Sequence, residues 1–249
     1  MALPKKITPD FIKEAVVEIR YLSNVAPEVL IGLFFEAFDD SWIYTNRPAQ
    51  APLMPPPLPN AIQEMTIRIG IESLLYNDKI SIRLVPNSFI FTCLNNKYIG
   101  WDEYQKEIIK ALRIFQSTKR ITAWIRVGFR YISEYPNKEL KDCVKFNFTF
   151  GFPNIQSKTT AFRSEFDFKD SKVILNLSNK VPVIIQNPST KQAEIIPTSI
   201  TDIDVITENI NITSLEDLLN VIEECHSKEK ELYFGIINQE FLNSLNPQY

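Results

Sequence analysis

Two places in this chain gather residue types able to do chemistry. In "EECHSKEK" the only histidine, His226, directly follows a cysteine, Cys225. Cysteine and histidine are the parts of a thiol nucleophile with its base, or of a zinc site. Neighbouring residues on a helix point about 100° apart, so these two cannot form a nucleophile–base pair. A zinc site needs three or four ligands, and the remaining cysteines, Cys93 and Cys143, lie far away in sequence. His226 shares a 3.6-residue stripe with Leu215, Leu218, Leu219, Ile222 and Tyr233. It therefore reads as a core histidine, hydrogen-bonded to a neighbour such as Glu229 or Tyr233. No catalytic residue is assigned.

The second place is "TDIDV", where Asp202 and Asp204 stand two apart on one strand face. Such a pair can hold Mg²⁺ in phosphoryl-transfer enzymes, usually with a third carboxylate and a glycine-bearing turn upstream. Here the upstream segment is "IPTS". Arginines on neighbouring strands are the competing partners. No phosphate-cradling, dinucleotide or nucleophile-elbow glycine motif occurs, and six glycines in all leave little scope for one. No cofactor is expected.

A binding face is the other candidate. In "ITAWIRVGFRYI" the alternation puts Ile121, Ala123, Ile125, Val127, Phe129 and Tyr131 on one side and Trp124, Arg126 and Arg130 on the other. Arg20, in "EAVVEIRYL", is the counterpart of Arg130. Tryptophan and arginine are enriched at binding hot spots. The competing reading is a solvated face, salt-bridged to Glu18, Asp202 and Asp204.

These residues need elements to position them. "EAVVEIRYL" alternates as a half-buried strand. Pro27 suits the first turn of a helix carrying Leu30, Leu33, Phe34, Ala37 and Phe38 on one face. Residues 46–60 carry six prolines and read as an extended connector. "KISIRLV" and "SFIFTCL" are strands joined at Pro86-Asn87, and "WDEYQKEIIKALRIFQ" is an amphipathic helix with Trp101, Tyr104, Ile108, Leu112 and Phe115 on one stripe. "TTAFRSEFDF" and "KVILNLS" form a hairpin across Lys169-Asp170-Ser171, and "TDIDVIT" is a further strand. A last helix is expected to open at Thr213 or Ser214 and run to about Asn238, with Thr213 and Glu216 as a capping box.

The order repeats. "VVEIRYLS" is similar to "RVGFRYIS", with Tyr21 and Tyr131 110 positions apart. "WDEYQKEII" is similar to "LEDLLNVIE", with Trp101 and Leu215 114 apart. The expectation is a single α+β domain over 1–249, mainly antiparallel sheet with long amphipathic helices on one face. It is built from two pseudo-repeats, approximately 12–118 and 121–240.

Bulk properties narrow the function. The 249 residues are 45% hydrophobic with a net charge of −3 and no basic run, which argues against nucleic-acid binding. Three scattered cysteines fit reduced thiols in a cytoplasm better than a disulfide framework. No signal-peptide pattern opens the chain, and the longest apolar run, "VLIGLFF", is far too short for a bilayer.

"EAVVEIRY", Trp101-x-x-Tyr104-x-x-x-Ile108-x-x-x-Leu112, "IRVGFRYI", "DIDV" and the final His226…Phe234 together resemble a sporadically distributed family of uncharacterised bacterial proteins of about 250 residues. The resemblance implies no activity, cofactor or catalytic residue. Its patchy distribution is similar to that of defence and toxin–antitoxin genes. The function expected is thus a non-enzymatic sensor or regulatory component that binds another protein encoded by a neighbouring gene. The alternative is a divergent metal-dependent enzyme acting on a nucleotide or phosphoester through Asp202 and Asp204.

Overall fold

The computed structural model describes residues 3–48, 71–94, 97–146, 158–186 and 193–249. In chain order the elements are β1 (Ile12–Ser23), α1 (Pro27–Ala37), β2 (Ile43–Pro48), β3 (Ile71–Tyr76), β4 (Ile80–Val85), β5 (Ser88–Cys93) and α2 (Trp101–Ser117). They continue with β6 (Ile121–Pro136), α3 (Leu140–Cys143), β7 (Thr160–Phe168), β8 (Ser171–Gln186), β9 (Ala193–Ile212), α4 (Leu215–Ile236) and α5 (Gln239–Ser244). The expected connector at 46–60 is corrected at its start, because residues 46–48 complete β2. The rest of it lies outside the described residues.

The architecture is α+β. The described strands form one antiparallel sheet of nine, in the order β2-β3-β4-β5-β1-β6-β9-β8-β7. β1 and β6, the first strand of each half of the sequence, meet in the middle, with Glu18 opposite Gly128 and Arg20 opposite Arg126. Period-2 alternation decides which face each residue takes. Ala15, Val17, Ile19 and Tyr21 of β1 are buried, as are Val127, Phe129 and Tyr131 of β6 and Ile203 and Val205 of β9. They join one continuous apolar cluster.

α2 and α4 lie on that same face. From α2, Tyr104, Ile108, Ala111, Leu112 and Phe115 are fully buried, and the Tyr104 hydroxyl donates to the carbonyls of Phe91 (2.8 Å) and Ala15 (3.2 Å). Phe115 stacks on Phe89 with centroids 3.9 Å apart. From α4, Leu218, Ile222, Cys225, Lys228, Glu229 and Tyr233 are buried. This stripe is rotated from the expected one: Cys225, not His226, faces the sheet squarely. Of the two expected openings the cap is Ser214, whose hydroxyl accepts from the Asp217 amide in place of the Thr213–Glu216 box. In α1, Leu30 and Phe34 are buried as the spacing predicts, as is Phe38 at its C-cap, while Leu33 is half-buried and Ala37 exposed.

The alternation of β6 breaks at one point. β1 pairs Tyr21 with Trp124 but Arg20 with Arg126, so Ile125 is an extra residue, a β-bulge. The residue just before the bulge changes face, and a second register shift, between Leu22 and Ser23, returns Ile121 to the core side. Trp124, expected beside Arg126 and Arg130, is instead 1% exposed in the core, near Tyr21 and Phe89.

Candidate functional site

Without Trp124, the opposite sheet face keeps its charges, and three central strands hold them in register. Glu18 of β1 accepts from Arg20 Nε (2.8 Å) and from Arg126 Nη1 (2.5 Å). Arg126 Nε in turn lies 3.4 Å from Glu208 Oε1 on β9. The row Arg20–Glu18–Arg126–Glu208 thus alternates in sign. The Arg126 guanidinium lies over Gly128, at ordinary van der Waals distance (3.5 Å) from where a Cβ would stand. Burial alone would raise the Glu18 pKa, but the two guanidiniums outweigh it and hold the carboxyl below its usual range.

A second group lies one pleat along. Arg130 Nε and Nη2 donate to both oxygens of Asp202, at 2.7 and 2.8 Å. Asn176 Nδ2 of β8 adds a third bond to Asp202, at 2.9 Å. Donating these hydrogen bonds to Asp202 raises the Arg130 pKa still further. The backbone partner of Arg130 is Asp204 rather than Asp202. Asp204 is half-buried, and its burial lifts its pKa to about 6, against the opposing charges of Arg130 and Arg126. Asp202 and Asp204 do share a face, and both oxygens of Asp202 are hydrogen-bonded to Arg130. Among the described residues no three His, Cys, Asp or Glu side chains converge as metal ligands.

His226 sits elsewhere, at the seam between α2 and α4. Its ring stacks on Trp101 with centroids 4.2 Å apart and an interplanar angle of 17°. Glu223 Oε1 stands 3.6 Å from Nδ1, beyond hydrogen-bond range. Glu223 is held instead by Trp101 Nε1 (2.9 Å) and Gln105 Nε2 (2.8 Å). The expected hydrogen bond to Glu229 or Tyr233 is therefore replaced by an aromatic stack. Burial drives the imidazole pKa down, so the ring is neutral near pH 7. Cys225 points away from it, with Sγ 3.3 Å from Thr207 Oγ1.

Two features escaped the sequence reading. Lys228 is buried under α4, where its ammonium meets Asp170 at the β7–β8 turn and donates to Ser171 Oγ at 3.0 Å. Ser171 in turn bonds Thr207 at 2.8 Å, extending the chain to Cys225. Glu229 is also buried, and burial raises its pKa to about 8. A lysine and a glutamate among solvated helix charges carry no local mark of this; only the rotation of α4 reveals it. A cleft of about 380 Å³ beside α4 is lined by Lys169, Asp170, Glu223, Glu224, Ser227 and Lys228.

No family model matches the chain, and no curated protein matches it. Among the described residues no helix is long and apolar enough to cross a membrane.

Proposed function

We propose that this chain is a non-enzymatic protein-binding component, a sensor or regulatory part of a bacterial defence or toxin–antitoxin type system acting in the cytoplasm. Its docking surface is the charged sheet face. The observation that carries this reading is the presentation of Arg20 and Arg130. Their side chains remain 49% and 37% exposed while carboxylates fix both guanidiniums in place. Arginines held in this way lose little conformational entropy on binding a partner. The test is co-expression with the product of the neighbouring gene. Retention of that protein by the wild-type chain and its loss with Arg20→Ala plus Arg130→Ala supports the reading; equal retention rejects it.

The second reading, a metal-dependent enzyme at Asp202 and Asp204, draws on the shared face of the two carboxylates. It requires Arg130 to release Asp202. A thermal shift with Mg²⁺ or Mn²⁺ that Asp204→Asn abolishes would favour it.

The same proposal includes descent from a duplicated unit and kinship with the sporadic bacterial family. The mirrored order, β3-β4-β5-β1 against β6-β9-β8-β7, supports the duplication. So does the position of α2 and α4, each following the last strand of its half.

A further inference from the structure

The charged sheet face holds one acceptor that the fold leaves unused. Asp204 lies on β9 between Arg130 of β6 and Ile174 of β8. Arg130 gives its hydrogen bonds to Asp202 instead, and so does the Asn176 amide. Arg126 is engaged with Glu18 and Glu208. Lys172 of β8, across from Ile206, is held at 2.6 Å by Glu165 of β7. Among the described residues, then, Asp204 receives no hydrogen bond and no ion pair. It is half-buried all the same, so its carboxylate has lost water and gained nothing in return.

The surrounding charge is unbalanced in the same sense. On this face the three central strands, β1, β6 and β9, carry Glu14, Glu18, Glu134, Asp202, Asp204 and Glu208 against Arg20, Arg126 and Arg130. All three guanidiniums are paired, with Glu18, Glu208 and Asp202. Glu14, Glu134 and Asp204 are left over, and they lie near one another. Glu14 is opposite Ile132, Asp204 opposite Arg130, and Glu134 two residues along from Ile132. Asp204 has the shortest stem of the three, so it is the least able to carry its charge out to water.

We infer that the protein bound by this face delivers a lysine or arginine side chain to Asp204. The inference rests on the protein-binding reading above and names the chemistry of the partner at its centre. An acidic group would meet three unpaired carboxylates there. A neutral donor would satisfy the hydrogen bond and leave the charge. A cation does both, and it relieves a desolvation cost that the free chain already carries, which an exposed rim pair does not.

A proton competes with that cation for the same oxygens. In the free chain burial lifts the Asp204 pKa to about 6; Arg130 and Arg126 oppose the rise, while Asp202 and Glu18 add to it. A cation in contact draws the pKa back toward the ordinary 3.8. Association below about pH 6 therefore expels a proton, and affinity falls by about tenfold from pH 7 to pH 5.

The test is surface plasmon resonance of the neighbouring gene's product over the immobilised full chain at both pH values. The wild type should show that tenfold rise in Kd at pH 5. Asp204→Asn, which removes a buried charge and is expected to fold, should raise Kd about tenfold at pH 7 and abolish the pH dependence. In a scan of the partner's lysines and arginines, one substitution should weaken binding to the wild type and have no further effect on Asp204→Asn. Equal affinity at the two pH values, unweakened binding by Asp204→Asn, or no coupled residue in the scan would overturn the contact and leave the protein-binding reading standing. Absence of binding by the wild type at either pH would overturn that reading, and the contact with it.

Discussion

Arg130 bypasses Asp204, the residue directly across from it on β9, and closes a two-toothed hydrogen-bonded pair with Asp202 on the diagonal. The choice divides two otherwise similar carboxylates into a satisfied one and a desolvated one. Replacing Arg130 with methionine leaves Asp202, whose side chain is 8% exposed, with only Asn176. The expected loss is about 2–3 kcal/mol, read from the midpoint of urea unfolding at pH 7. Arg130→Lys should recover less than half of it, because an ammonium cannot span both oxygens.

Asp204 follows the opposite sign. Its folded pKa of about 6 lies above the unfolded 3.8, so the native state binds the proton more tightly. Stability at this residue is present at low pH and is lost as pH rises from about 4 to 6. Asp204→Asn should therefore stabilise the protein at pH 7 by about 1–2 kcal/mol, allowing for partial exposure. The gain should vanish at pH 4. Urea unfolding at the two pH values checks it.

Glu229 gives the same sign in a higher window. Burial among Tyr98, Tyr131 and Tyr233 raises its pKa to about 8 from an ordinary 4.5, with Lys230 opposing. Stability is lost between about pH 4.5 and 8, and Glu229→Gln should restore on the order of 4 kcal/mol at pH 9. At pH 4.5 the variant and the wild type should unfold nearly together.

His226 runs the other way. Its folded pKa is pushed below the unfolded 6.5, so a proton is taken up on unfolding and stability falls as pH drops below about 6.5. His226→Leu should flatten this acid limb and leave the melting temperature above pH 7 little changed. Thermal scans from pH 4.5 to 8 test it.

The thiols should be silent. Burial raises the Cys93 pKa to about 11 and that of Cys143 to about 12, and moves Cys225 in the same direction. Since the thiolate is the reactive form, a thiol reagent at pH 8 should label none of the three in the native chain and all three in urea.

Much of this was legible from periodicity. The strands around Arg20, Arg130 and Asp204 alternate cleanly, and the Lys169-Asp170 hairpin was marked by its polar turn between two apolar runs. Lys169 adopts φ 58° there. Trp124 was misplaced for a specific reason. "ITAWIRV" alternates without a flaw, so the bulge at Ile125 leaves no trace in its own segment and depends on pairing with β1. His226 is largely buried, as its stripe predicts, but at the α2–α4 seam rather than squarely on the sheet, and its stacking partner, Trp101, is 125 positions earlier and had no local signal. The same is true of Arg130 choosing Asp202, since register across β9 is a property of two distant strands.

The central β1–β6 pairing has a cost during synthesis. β1 emerges from the ribosome roughly 100 residues before β6, and at 5–20 residues per second it waits about 5–20 s with one hydrogen-bonding edge bare. β5 arrives earlier and protects only the other edge. Glu14, Glu18 and Arg20 alternate along the exposed ribbon, and charges in such places deter a nascent strand from pairing with a stranger.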